Sequence, residues 1–217
     1  MRLVGELDWA AVIVNYNAGV FLDGCLRSLY AGDVPPSDVV VVDNASSDDS
    51  VLELAAWPRV AVEACRENLG FAGGANRGIV RTDAPIVVVL NPDVNVDLGF
   101  GAALVQLFAG NPRLGVAGPK LRYPNGGLIQ HAGGVVNYPL LTTAHRGYRE
   151  PDDGRWDQPL AVDFVTGGAM ALRRAALDAV GLFDEGFYPA YYEDVDLCFR
   201  LRQAGWEVRY EPSLTAT

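Results

Sequence analysis

Three carboxylates fall within four residues at Glu193-Asp194-Val195-Asp196, directly after Tyr191-Tyr192. A carboxylate in a cleft can take a proton from a hydroxyl or hold a hard cation. Acidic residues also gather at helix N-termini for the helix dipole alone. The spacing separates the members. Asp196 has Arg200 at i+4, the position of a helical ion pair, whereas Asp194 has Cys198 there. Asp194 is therefore the candidate for chemistry and Asp196 the candidate for helix support. Further polar groups close three apolar runs. Asn15-Tyr16-Asn17 follows the run 10–14, Asp43-Asn44 follows 39–42, and Asn91-Pro92-Asp93 follows 86–90. Each Asn or Asp alone is an ordinary turn residue. Three such sets at strand ends are what a ligand crevice in an open α/β sheet requires.

A glycine-rich stretch, Gly70-Phe71-Ala72-Gly73-Gly74-Ala75-Asn76-Arg77-Gly78, adds a fourth candidate. Small residues at a helix start let backbone N–H groups approach a diphosphate. The spacing is neither a dinucleotide fingerprint nor a Walker loop, and tight packing of a helix on a sheet explains the glycines without a ligand. His131 and His145 stand in no HExxH or Ser-His-Asp context and read as isolated surface or loop residues. Cys25 and Cys198 fall on apolar helical positions and read as core.

The elements that must position these groups follow from hydrophobic period. The runs 10–14, 39–42 and 86–90 read as buried strands, with a weaker one at 60–64. Apolar residues from Phe21 to Tyr30 recur at helical spacing, a short helix follows Asp48-Asp49, and another spans about 72–81. Strands separated by helices predict right-handed crossovers and a mostly parallel sheet covered on both faces. Beyond this half the pattern changes to a helix at about 98–109, strands and turns at 115–123 and 128–136, and a polar, irregular stretch at 137–159. Such a stretch is long enough to be a functional loop or lid. Strands at 161–164 and 169–173 and helices at 174–180 and about 193–204 complete the prediction.

Composition removes other classes. Of 217 residues, 50% are hydrophobic and 20% charged, so the chain can bury a core. The net charge of −10 argues against nucleic acid as a partner and against electrostatic docking on anionic lipid. Three widely spaced cysteines without a CxxC fit a reducing compartment. Glu6 and Asp8 interrupt the place where a signal peptide needs an apolar segment, and no apolar run reaches membrane-spanning length. The expected location is cytoplasmic, with peripheral association at the inner face of the membrane left open.

Taken in order, Val12-Ile13-Val14-Asn15-Tyr16-Asn17, Val41-Val42-Asp43-Asn44-Ala45-Ser46, Glu67-Asn68-Leu69-Gly70-Phe71-Ala72-Gly73-Gly74-Ala75-Asn76, Leu90-Asn91-Pro92-Asp93, and Gly181-Leu182-Phe183-Asp184-Glu185 with Tyr192-Glu193-Asp194-Val195-Asp196-Leu197 resemble the inverting family 2 glycosyltransferases, particularly the rhamnosyltransferase-like branch. The resemblance implies a GT-A-type α/β fold with a mostly parallel central sheet flanked by helices. It implies one glycosyltransferase domain over 1–217, with a nucleotide-sugar-binding half at about 8–97 and a less regular acceptor half at about 98–217. It assigns Asn15, Tyr16, Asp43 and Asn76 to the nucleotide, Asp43 to a pyrimidine N3–H, Gly167 and Gly168 to the surroundings of the donor sugar and the acceptor, and Glu193 to substrate binding. Asp93 matches the last residue of a metal-binding DxD, implying Mg2+ or Mn2+, and Asp194 matches the catalytic base. The implied partners are a nucleotide diphosphate sugar and a glycan or lipid-linked acceptor, with dTDP-rhamnose favoured and polysaccharide biosynthesis the setting.

The chain departs from the family pattern in three places. Asn91 stands where many relatives have a second carboxylate, and Ala75 stands where many have Arg. A further metal-ligating His is expected beyond Tyr210-Glu211-Pro212, and the chain ends at Thr217, so it reads as C-terminally truncated relative to the family. Two alternatives remain at this level. One is a sugar nucleotidyltransferase, although Asn15-Tyr16-Asn17-Ala18-Gly19 lacks the Gly-rich, basic signature of that class; the other is an inactive nucleotide-sugar-binding module.

Overall fold

β-Branched runs too short for helices become the central strands. In this computed structural model, which describes residues 7–124 and 127–217, β1 (Trp9–Asn15), β2 (Asp38–Asp43), β3 (Val60–Ala64) and β4 (Ile86–Leu90) pair in parallel in the order β3-β2-β1-β4. Glu6 lies outside the described residues. Between these strands run α1 (Gly19–Ala31), the short α2 (Ser50–Glu53) with a 3-10 turn at Leu54–Ala56, and α3 (Gly70–Ile79). The chain continues through α4 (Phe100–Gly110), β5 (Leu114–Arg122), β6 (Ile129–His131), β7 (Gly134–Asn137), β8 (Thr142–His145), β9 (Leu160–Ala161) and β10 (Ala169–Arg173). It closes with α5 (Arg174–Val180), a 3-10 turn at Glu185–Phe187, α6 (Glu193–Gln203) and β11 (Glu207–Ala216).

The nine-stranded sheet extends from β4 through β10, β5, β11 and β9, with β6 on β5, while β7 and β8 form a separate hairpin. β10 is antiparallel to both β4 and β5, whereas β11 is parallel to β5. Alternation along the strands divides the core. Trp9, Ala11 and Ile13 of β1 face α1 and α4, burying Leu22, Leu26, Leu104 and Phe108. Val12 and Val14 face the opposite layer with Ala75 and Ile79 of α3, Leu177 of α5 and Leu197 and Leu201 of α6. Each buried Leu or Val side chain contributes about 1.5–3 kcal/mol.

Several predicted elements change on folding. The run 128–136 breaks into β6 and β7 at Gly133, whose φ is +89°. The strand expected at 161–164 is only β9, because Phe164 instead bridges Gly134 beside the hairpin. The stretch 137–159 is ordered and contains β8. Lys120 is buried and bonds Asp152 (2.9 Å) and Asp157, and Tyr210 Oη donates to the Trp156 carbonyl at 2.7 Å, so this stretch is pinned to the sheet. β11 has no counterpart in the sequence reading. Pro212 and register shifts between Glu211 and Thr215 obscure its alternation, although Val208, Tyr210, Leu214 and Ala216 are buried.

The glycines of α3 are explained by packing. A Cβ on Gly74 would lie 2.7 Å from Val14 Cγ1, and one on Gly78 would lie 2.2 Å from Val12 Cγ1 and 3.0 Å from Val42 Cγ2. The helix sits on β1 and β2 at a distance only glycine permits. Gly78→Ala gains about 1 kcal/mol of helix propensity, but it should lose more to overpacking, for a net destabilisation of about 1–2 kcal/mol read as a lower urea midpoint. An unchanged midpoint would show that the helix can lift off the sheet without cost.

Candidate active site

All the parallel strands end at one edge of the sheet, and the antiparallel β10 begins there. This polarity carries Thr166-Gly167-Gly168 to the end of β4: the Asn91 N–H donates to the Gly168 carbonyl at 2.9 Å. α6 starts at the same edge, and the Gly167 N–H donates to Asp194 Oδ2 at 2.8 Å. Asn91, Asp93, Thr166, Gly167, Gly168, Glu193 and Asp194 thus line one cavity of about 590 Å3. Of the residues singled out from sequence, the structure brings together Asp93, Gly167, Gly168, Glu193 and Asp194.

Asn15, Tyr16 and Asp43 stand further along the same edge, outside that cavity. Asn15 is fully buried, and its Nδ2 donates to Asp43 Oδ1 (3.1 Å), Ser46 Oγ (3.1 Å) and Ser50 Oγ (2.9 Å). Asp43 Oδ2 accepts the Ser46 N–H at 3.3 Å, and the residue is 5% exposed. Its carboxylate is thereby fixed while keeping lone pairs for a further donor. Tyr16 is 51% exposed beside it. Asn76 is turned elsewhere. Its Nδ2 donates to the Phe183 carbonyl and Glu185 Oε1, both at 2.9 Å, and its Oδ1 accepts the Phe183 N–H at 3.0 Å, so it braces the segment leading to α6. The start of α3 is likewise occupied by protein. The Phe71 N–H donates to the Pro189 carbonyl at 2.9 Å, and a Cβ on Gly70, whose φ is +72°, would lie 2.6 Å from that oxygen.

The start of α6 holds its carboxylates under tension. Tyr191 and Tyr192 adopt φ of +86° and +71°, a conformation that costs about 1–3 kcal/mol per bulky residue. The following Glu193 is 5% exposed, with a buried Oε2 that has no hydrogen-bond partner. Burial first, and the Asp194 charge second among the raising influences, push its carboxyl above the usual range. Asp194 is also pushed up by burial, against the pull of the Gly167 and Val195 N–H donors and the His145 ring. The Val195 N–H lies 2.8 Å from Asp194 Oδ1. The result is a carboxylate of raised basicity, oriented by two backbone donors, at a cavity wall. Asp196 Oδ2 instead pairs with Arg200 Nε at 2.8 Å, as the i+4 spacing predicts.

Asp93 is exposed at the cavity. Among the described residues no cluster of three His, Cys, Asp or Glu side chains could enclose an ion. A single carboxylate does suit a hard cation completed by substrate phosphates and water. Among the described residues, Arg122 is the one Arg or Lys that lines the cavity, and its guanidinium also pairs with Asp97. The sequence reading missed His131 and His145. His145 is exposed, as expected, but His131 is buried, at 1% exposure; the two are hydrogen-bonded to each other and both line the cavity. Local spacing carried no signal for a contact made through a hairpin.

The profile of glycosyl transferase family 2 matches residues 10–181. An N-acetylglucosaminyl-diphospho-decaprenol L-rhamnosyltransferase of Mycobacterium tuberculosis is 33% identical, over 93% of this chain and 73% of the relative. A pre-mycofactocin glycosyltransferase of the same organism is 30% identical, over 80% of this chain and 36% of its own length. Among solved structures, GalNAc-T7 with UDP, GalNAc and Mn2+ superposes with a TM-score of 0.80 at 17% identity, covering 98% of this chain and 44% of that one. The mannosyltransferase PcManGT of Pyrobaculum calidifontis, in complex with GDP-Man and Mn2+, gives 0.71 at 19% identity, covering 98% and 57%. The chain thus spans less than two thirds of either solved structure, and the likeness is one of fold, the GT-A type.

The buried Glu193 makes stability depend on pH in a definite direction. A carboxyl whose folded value is raised binds its proton more tightly in the native state, so stability falls as pH rises above the ordinary carboxylate range. Glu193→Gln removes the charge. It should raise the melting temperature at pH 7–8, with a gain that fades below about pH 4, where the parent carboxyl is protonated in both states. A gain independent of pH would assign the effect to packing.

Proposed function

The chain belongs to glycosyl transferase family 2, and from that premise we propose that it moves a sugar from a nucleotide diphosphate donor to a hydroxyl of a glycan or lipid-linked acceptor, with inversion. The observation that carries the reading is the Asp194 carboxylate, held by the Gly167 and Val195 N–H groups at the wall of the cavity that Asp93 also lines. Asp194 takes the proton of the acceptor hydroxyl as its oxygen attacks the anomeric carbon. The bond to the nucleotide diphosphate breaks on the opposite face, which inverts the centre.

Asp43, fixed by Asn15 and the Ser46 N–H, accepts the N3–H of a pyrimidine, with Tyr16 beside it. Asn76 supports the site from behind through the 183–185 segment. Gly167 and Gly168 lie at the cavity wall beside the donor sugar and the acceptor, and Gly167 lets the Phe71 ring pack close, since a Cβ there would fall 2.9 Å from it. Glu193, a cavity-lining residue whose buried Oε2 has no hydrogen-bond partner, serves substrate binding. Asp93 would hold Mg2+ or Mn2+ together with the diphosphate, and such an ion acts as a Lewis acid on the departing group. Arg122 supplies a cation at the same cavity, where the glycine-rich helix has Ala75.

Likeness to the mycobacterial L-rhamnosyltransferase supports rhamnose as the sugar and a diphospholipid-linked N-acetylglucosamine as the acceptor, and the proposed donor is dTDP-rhamnose, for polysaccharide assembly. Among the described residues no helix is long and apolar enough to cross a membrane. The acceptor lipid would bring this chain to the cytoplasmic membrane face.

Asp194→Asn keeps shape but takes no proton, so transfer should fall roughly 10^2- to 10^4-fold with donor affinity unchanged. Asp196→Asn removes only the pair with Arg200, and should cost under about 1 kcal/mol of stability while sparing turnover. Loss of turnover in the second variant alone would assign the base to the wrong carboxylate. For the cation, thermal-shift titration with dTDP in the presence and absence of Mn2+ should show a metal-dependent gain in the parent and none in Asp93→Ala. A variant that keeps the full Mn2+ dependence would exclude Asp93 as the ligand.

A further inference from the structure

The two histidines of the chain meet across 14 positions of sequence. His131 on β6 and His145 at the end of β8 place their Nδ1 atoms 2.7 Å apart, with rings edge to face and centroids at 4.8 Å. The Thr166 N–H donates to His131 Nε2 at 3.3 Å. A backbone amide can only donate, so this nitrogen carries the lone pair and the proton of the neutral ring sits on Nδ1. The Nδ1–Nδ1 contact holds one proton, and it belongs to His131. His145 Nδ1 therefore accepts, which leaves Nε2 as the only N–H of the neutral His145 ring.

The next amide in the chain, that of Gly167, donates to Asp194. Successive amides are thus gripped, one by His131 and one by the base. A single proton in the Nδ1–Nδ1 contact requires both rings to be neutral, and burial acts in the same direction on each. Burial pushes His131 down to about 3, with His145 and Arg146 acting in the same direction. Burial lowers His145 too, opposed by the charge of Asp194. His145 and Asp194 line the same cavity within electrostatic reach of each other.

We propose that His145, locked by His131 with its proton on Nε2, is the hydrogen-bond donor that orients the acceptor hydroxyl toward Asp194. The hydroxyl oxygen accepts from His145 Nε2–H and gives its own proton to the Asp194 carboxylate; His145 keeps its proton throughout. This inference rests on the reading of Asp194 as the base. His131 is a positioning residue, acting through His145 and through the Thr166-Gly167 backbone.

The test uses the full chain with dTDP-rhamnose and a short-chain prenyl-diphospho-N-acetylglucosamine as probes. His145→Asn keeps an acceptor for His131 but removes the outward donor, whereas His145→Gln keeps an N–H near the place of Nε2. For acceptor kcat/KM, His145→Asn should lose about 10- to 100-fold and His145→Gln should stay within about threefold of the parent, with donor affinity equal in all three. Ring 15N spectra of the parent, which has only these two histidines, should show His131 protonated at Nδ1 and His145 at Nε2 without any reliance on turnover. Equal acceptor kinetics in the two variants, or a proton on Nδ1 of His145, would overturn the assignment. Full transfer by Asp194→Asn would overturn the reading of the base, and this inference with it. Loss of transfer in Asp194→Asn together with equal His145 variants would sink the inference alone.

Discussion

The site depends on one reversal of direction in the sheet. A parallel sheet sends all its strand ends to one edge, but every connection must then return along a face before the next strand begins. β10 escapes that limit by running backwards between β4 and β5, so its start and the end of β4 coincide. The Asn91–Gly168 backbone bond fastens that junction at 2.9 Å. Asp93 follows it on one side and the Gly167 amide precedes it on the other, and α6 is docked on that amide through Asp194. Remove the reversal and Asp93 and Asp194 belong to different regions of the molecule.

A second constraint is electrostatic. A chain of net charge −10 gathers Asp93, Glu193 and Asp194 in one cavity, where the proposed donor would add further negative charge. Backbone donors on Asp194 and the Arg122 guanidinium at the cavity wall moderate this. Burial acts against the ionised forms of Glu193 and Asp194. Such tension lowers stability and raises basicity together, the common relation between a working site and the fold that carries it.

The legible parts of the sequence were the local ones. The runs ending at Asn15, Asp43 and Asn91 declared their strands through continuous apolar burial, and the Asp196–Arg200 pair follows from one turn of helix. β11 was hidden because Pro212 and a shifted register break its period, while its pairing with β5 depends on residues far away in sequence. The histidines were illegible for a related reason. Their contact needs the break at Gly133, the β7–β8 hairpin and the Lys120 anchor, and no window of sequence displays all three. Asn76 shows the opposite limit: its place in a motif was visible, but which way its amide faces was decided by Phe183 and Glu185, more than a hundred residues on.

The backward strand also imposes an order on synthesis. β4 and β5 leave the ribosome before β10 exists, and in the finished sheet they are second neighbours with a strand-wide gap between them. A nascent chain that closed this gap early, pairing β4 directly with β5, would have to be pried open to admit residues 169–173. The nascent protein is therefore best served by delay. The first four strands are mutual neighbours and precede β5 in the chain, whereas the insertion of β10 joins them to the second half and brings Gly167 and Asn91 to one cavity in the same step.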